Sequence, residues 1–138
     1  MTNPMEPEYV HAMQEHVGQL AEELGELQRL ASESNSLPPL RYRAAERNLQ
    51  RLTEACIGIA KQKLKALGLV VPSESRQAFA KLVAMGEDHS GTPWNKVIGL
   101  RNALVHDDLN LDAGIVNEVI REGHYRRLLA FAREQLAE

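Results

Sequence analysis

Three residues near one end of a short apolar segment carry side chains suited to work on a phosphodiester: Arg101, Asn102 and, four positions on, His106. A histidine titrates near neutrality, so it can move a proton to or from a ribose hydroxyl. Such a role supplies about 10²- to 10⁴-fold in rate. An arginine fork can hold the phosphate and stabilise charge developing on its oxygens. Asn102 can orient either group, and the scheme needs no metal. Spacing alone is weak support, because eleven arginines and five histidines put an arginine five residues before a histidine in roughly one such chain of two or three. The structural alternative pairs Arg101 with Asp107 or Asp108 and uses His106 to close a helix C-terminus.

The element that must position these groups is the stretch from Lys96 to Asp108. It reads as a short helix with Thr92 as N-cap and Pro93 as the first helical residue. Val97, Ile98, Ala103, Leu104 and Val105 are core-type residues, so the helix is expected to be buried among others. Polar groups in that setting need partners or a task. On an ideal helix, five steps of about 100° leave Arg101 and His106 roughly 140° apart. They converge only where the helix ends near His106, or where a second subunit supplies a facing pair. Asn102 and His106, four apart, share a face.

Other chemistries find no footing. The sequence contains no glycine-rich phosphate loop, no H-E-x-x-H, no paired Cys/His metal spacing and no G-x-S-x-G elbow. No metal or other cofactor is therefore expected. His11, His16, His89 and His124 read as surface residues, Trp94 as a packing anchor, and Cys56 as core filler. A net charge of −3 provides no global field for nucleic acid. One cysteine fits a reducing compartment. Neither a signal peptide nor an apolar run of membrane-spanning length is visible. The expectation is a cytoplasmic protein without a membrane partner, one domain over residues 1–138, with 1–7 a loose end.

Apolar residues at Val10, Met13, Val17, Leu20, Leu24, Leu27 and Ala31 alternate by threes and fours, which predicts a long helix with an acidic outer face. Ser32 to Pro39 breaks it. A second long helix runs from Leu40 to Leu67 and is closed by Gly68. It carries Arg41, Arg43, Arg47, Arg51, Lys61, Lys63 and Lys65. Those cations read first as a solvated face with ion pairs to the acidic first helix, and second as a surface that attracts phosphate. A third helix starts at Ser73 or Ser75 and stops at Gly86. Asp112 caps a last helix from Ala113 to Leu136, with a bend or close packing at Gly123. The fold class is all-α: two long antiparallel helices followed by three shorter ones in a bundle.

Gly99-Leu100-Arg101-Asn102-Ala103-Leu104-Val105-His106-Asp107, together with the helix from Tyr42 to Ala60, resembles the HepT-like family of HEPN domains. The link from Gly68 to Pro72 and the segment Ser75-Arg76-Gln77-Ala78-Phe79 also fit, and the likeness runs from Leu40 to the end. The resemblance implies a HEPN-type helical bundle and the toxin of a toxin–antitoxin pair. It implies a metal-independent endoribonuclease that cuts RNA as a homodimer, with the R-x4-H motif, here Arg101 and His106, in the cleft between subunits. Asn102 would support them. It further implies a minimal nucleotidyltransferase (MNT-type) antitoxin as partner, which silences the toxin by transferring AMP to a tyrosine two residues after the motif histidine. Here that position is Asp108, which has no phenolic hydroxyl. Three readings follow: a variant controlled by simple binding, an attenuated or silent subunit that only complexes the antitoxin, or a substituted residue.

Overall fold

The computed structural model describes residues 3–106 and 111–138. Six helices follow in chain order: α1 (Pro7–Ser34), α2 (Pro39–Ala66), α3 (Ser75–Ala84), α4 (Trp94–Val105), α5 (Ala113–Arg121) and α6 (Arg126–Leu136). No strand occurs among the described residues. The all-α expectation therefore holds, with one helix more than the sequence pattern predicted.

The two long helices form as their periodicity requires. Val10, Val17, Leu20, Leu24, Leu27 and Ala31 of α1 are all buried, as are Leu49, Leu52, Cys56, Ile59, Ala60 and Leu64 of α2. A left-handed Asn35 ends α1, and the short link of residues 35–38 folds α2 back onto it. α2 then lies centrally, packed against each of the other five helices. The ion pairs expected between basic α2 and acidic α1 do not form among the described residues. The α2 cations point elsewhere because its apolar stripe, not its basic face, meets α1.

The last helix divides in two at Gly123. With φ at +71°, this glycine occupies the left-handed region, which costs a residue with a Cβ roughly 1–2 kcal/mol. The amide of His124 donates to the Val119 carbonyl at 3.0 Å and that of Gly123 to Ile120 at 3.1 Å, the paired bonds of a Schellman ending. Gly68 and Gly86 end α2 and α3 with the same paired bonds, so the bend expected at Gly123 is a full stop of the same kind. Asp112 caps α5 as its position predicted, accepting from the Gly114 amide at 2.8 Å.

Part of the supposed loose end is anchored. Asn3 Nδ2 donates to the carbonyls of Gln135 and Ala137 at 2.7 and 2.9 Å, and Met5 is buried. Two near-terminal segments thus hold each other.

α4 begins one residue later than predicted, at Trp94, with Pro93 in the N-cap position and no side-chain cap. Thr92 does not cap it. Its hydroxyl lies 2.7 Å from that of Ser90 and donates to the Arg127 carbonyl at 3.4 Å. Trp94 fixes this end of α4 instead. Its ring stacks on Phe79 at 3.6 Å and meets Phe131 edge-on at 4.9 Å, and its Nε1–H donates to Asp88 Oδ2 at 2.7 Å. The packing-anchor expectation is correct. The expectation of a buried α4 is not, because only Trp94 and Ile98 are buried in it. Val105 is 44% exposed, and Val97, Leu100, Ala103 and Leu104 are half-buried. Core-type residues on α4 outnumber the core positions available to it, leaving an apolar face at the surface.

Candidate functional site

α4 presents the three candidate residues at its far end from the Trp94 anchor. Arg101 and Asn102 sit in the last two turns, both half-buried. His106 is the C-cap residue, exposed, with its backbone amide donating to the Asn102 carbonyl at 3.1 Å. The helix thus ends at His106. Asp107 and Asp108 lie outside the described residues, and so does the ion pair that the structural alternative drew between Arg101 and one of them.

Two cavities flank Arg101. The first, of about 290 Å³, is polar and lies between the start of α3 and α4; Ser73, Glu74, Ser75, Arg76, Arg101 and Asn102 line it. The second, of about 440 Å³, is a mainly apolar groove along α4 against α2, α5 and α6. Leu49, Val97, Leu100, Leu104, Ile115 and Leu128 supply its walls, and the cations Lys96, Arg101 and Arg127 also border it. Arg101 is common to both, Asn102 lines the polar cavity alone, and His106 lines neither. The Nε of Arg101 is buried and has no hydrogen-bond partner among the described residues. A donor left in that condition is unfavourable by about 1–3 kcal/mol.

A third cavity, of about 210 Å³, answers where the basic face of α2 points. Arg43, Arg47 and Gln50 line it beside Ala103 and Leu104 of α4 and Leu111. Glu46 shares this space. The neighbouring Tyr42 phenol is pushed above its ordinary range first by partial burial, then by the Glu46 charge and by hydrogen bonding to that carboxylate. No ion pair ties down Arg43 or Arg47 among the described residues. Two exposed guanidinium groups therefore stand next to the last turn of α4.

Other candidates separate from this region. Cys56 is fully buried; burial, and secondarily the Asp88 charge, pushes its thiol far above the usual range, so it is no nucleophile. His89 pairs with Glu134 at 2.8 Å and His11 approaches Glu138 at 3.7 Å, surface contacts that tie loop and helix ends. His124 borders the apolar groove. Sequence reasoning missed Arg76, which precedes Arg101 by 25 positions and meets it only through the packing of α3 on α4. Its one sequence signal was membership in the Ser75–Phe79 segment.

Comparison with known proteins agrees with this architecture. The family pattern described as "Ribonuclease HepT-like" matches residues 13–135. Among curated proteins, a Shewanella oneidensis protein named "mRNA nuclease HepT" is 38% identical over 76 residues, which cover 54% of this chain and 57% of that relative. The match thus spans little more than half the length of the relative. No solved structure matches the chain. The family pattern spans α2 to α5 entirely, most of α1 and all but the last residue of α6, including every residue of the Arg101 region, and the chain belongs to the HepT-like ribonuclease family.

Proposed function

We propose that this protein is the toxin of a HEPN/MNT toxin–antitoxin pair: a cytoplasmic endoribonuclease, one HEPN-like unit over residues 1–138, acting as a homodimer without a metal. The observation that supports this most is the organisation of α4. One helix carries Arg101 and Asn102 into a polar cavity, releases His106 at its end, and leaves an apolar groove open alongside. A second copy seated on that groove would cover Leu100, Leu104 and Ile115 and bring a second Arg101–His106 pair opposite the first. The nuclease named among its relatives favours RNA as substrate.

The chemistry is transesterification within RNA. His106 removes the proton of a ribose 2′-hydroxyl as O2′ bonds to the adjacent phosphorus. The P–O5′ bond breaks, its electron pair stays on O5′, and that oxygen takes a proton from the same residue of the second copy. The products are a 2′,3′-cyclic phosphate and a free 5′-hydroxyl. Arg101 stabilises the charge that builds on the non-bridging oxygens, and Asn102 holds the phosphate in register. Asp108 occupies the position of the family's modified tyrosine, so the nucleotidyltransferase antitoxin acts on this chain by binding alone.

Cleavage of a mixed single-stranded RNA in EDTA, with wild type, His106→Ala and Asp108→Tyr compared, tests the reading. Wild-type cleavage that is lost in His106→Ala supports it. Cleavage by Asp108→Tyr alone makes this chain an attenuated form of the same enzyme. If none of the three cuts RNA, the chain is a silent binding subunit. Leu100→Glu tests the dimer, since it should shift the protein to a monomer in sedimentation and abolish cleavage.

A further inference from the structure

We propose that the polar cavity between α3 and α4 is a second phosphate subsite, built around Arg76, which grips the RNA backbone one or more nucleotides away from the bond being cut. The proposal rests on the ribonuclease reading above and adds to it a residue from another helix.

Arg76 is exposed at the start of α3. Its Nη2 donates a long bond, 3.4 Å, to the Asn95 carbonyl. It forms no ion pair among the described residues, although Glu74 borders the same cavity. The guanidinium lies over Gly99, where a Cβ would stand 3.8 Å from Nη2. Gly99, Asn102 and His106 are spaced three and four apart and so fall on one strip of the α4 surface. Arg76 therefore sits at one end of the strip that carries Asn102 in the middle and His106 at the other end. At 1.5 Å per residue the strip is about 10 Å long. That length separates a phosphate held at Arg76 from the one whose ester is cleaved beside His106.

The remaining lining suits an anion. The hydroxyls of Ser73 and Ser75 can donate, Arg101 faces the cavity from α4, and Asn102 contributes its amide. Among the described residues the cavity carries two guanidinium groups and one carboxylate, a net positive charge. An arginine fork matches phosphate oxygens in two-point contact, which a lysine cannot reproduce. Arg101, at the border of this cavity, then lies between the subsite and the scissile phosphate beside His106.

The test is steady-state cleavage of a short single-stranded oligoribonucleotide in EDTA by wild type, Arg76→Ala and Arg76→Lys across a salt series. Binding of the same oligonucleotide is followed by fluorescence anisotropy in the His106→Ala background. Arg76→Ala should raise KM and weaken binding by about 10-fold, near the low end for one lost charge-assisted contact because Arg76 is exposed, with kcat changed less than threefold. The slope of log affinity against log salt should fall by about 0.7, the value for one phosphate on a single strand. Arg76→Lys should recover the salt slope but only part of the affinity. An unchanged KM and salt slope in Arg76→Ala overturns the subsite, as does a fall in kcat at constant KM. Should wild type bind without cutting, the nuclease reading fails while the Arg76 effect on binding still decides the subsite. If it neither binds nor cuts, both fall.

Discussion

Replacing Arg101 by methionine should make the protein more stable and inactive at once. The Nε–H of Arg101 is buried and meets no acceptor among the described residues. A lost partner at a buried donor is unfavourable by about 1–3 kcal/mol. The residue as a whole is only half-buried, so the outer guanidinium nitrogens stay hydrated and the low end of that range applies. Methionine keeps an unbranched stem that can follow the same path between the two cavities and carries no donor. The expected gain is therefore about 1 kcal/mol. With an unfolding entropy of about 2.1 cal/mol/K per residue, a chain of this length loses roughly 0.3 kcal/mol per kelvin near its midpoint, so Tm should rise by about 3 °C. The same variant should lose about 10²-fold or more in RNA cleavage, as removal of a group that stabilises transition-state charge does. Thermal unfolding followed by circular dichroism, beside cleavage in EDTA, reads both quantities. A destabilisation near 3 kcal/mol, the usual penalty for breaking a buried ion pair, would refute the reasoning and make Arg101 a structural residue.

Three further outcomes are expected. Trp94→Phe keeps the stack on Phe79 but removes the 2.7 Å bond to Asp88; combined with Asp88→Ala in a double-mutant cycle it should show coupling of about 1 kcal/mol in chemical denaturation, and additive effects would mean the bond does not hold α4. Cys56, fully buried and with its thiol pushed up by burial, should resist a thiol reagent in the native protein and react once on unfolding. Because the folded form keeps that proton longer, stability should decline as pH rises above about 8.5, the ordinary thiol value, and Cys56→Ala should flatten the first part of that decline. Gly99→Ala should raise Tm, because its nearest neighbour, Arg76 Nη2 at 3.8 Å, is at ordinary contact distance and alanine favours a helix by about 1 kcal/mol.

What could be read in the sequence follows from how local each determinant is. The stripes of α1 and α2 repeat every three or four residues over seven turns, so a periodicity argument places them with little ambiguity. Gly68, Gly86 and Asp112 announce helix ends through backbone preferences that act within three or four residues. α4 resists the same treatment. Its run of Val, Ile, Leu and Ala is too evenly apolar for one face to stand out, and composition alone assigns it to the core. The structure gives the core only Trp94 and Ile98, because α4 packs mainly against α2 and α3 and, beyond Trp94, the rest of its surface meets no other helix among the described residues. Apolar residues left over on a helix that also carries arginine, asparagine and histidine do not stabilise the single chain, and the Nε of Arg101 detracts from it. Their cost is explained if the face is completed by another surface, and that surface must be one that tolerates cations at its edge. The second copy of α4 proposed above, with RNA phosphate running between the two, would meet both requirements.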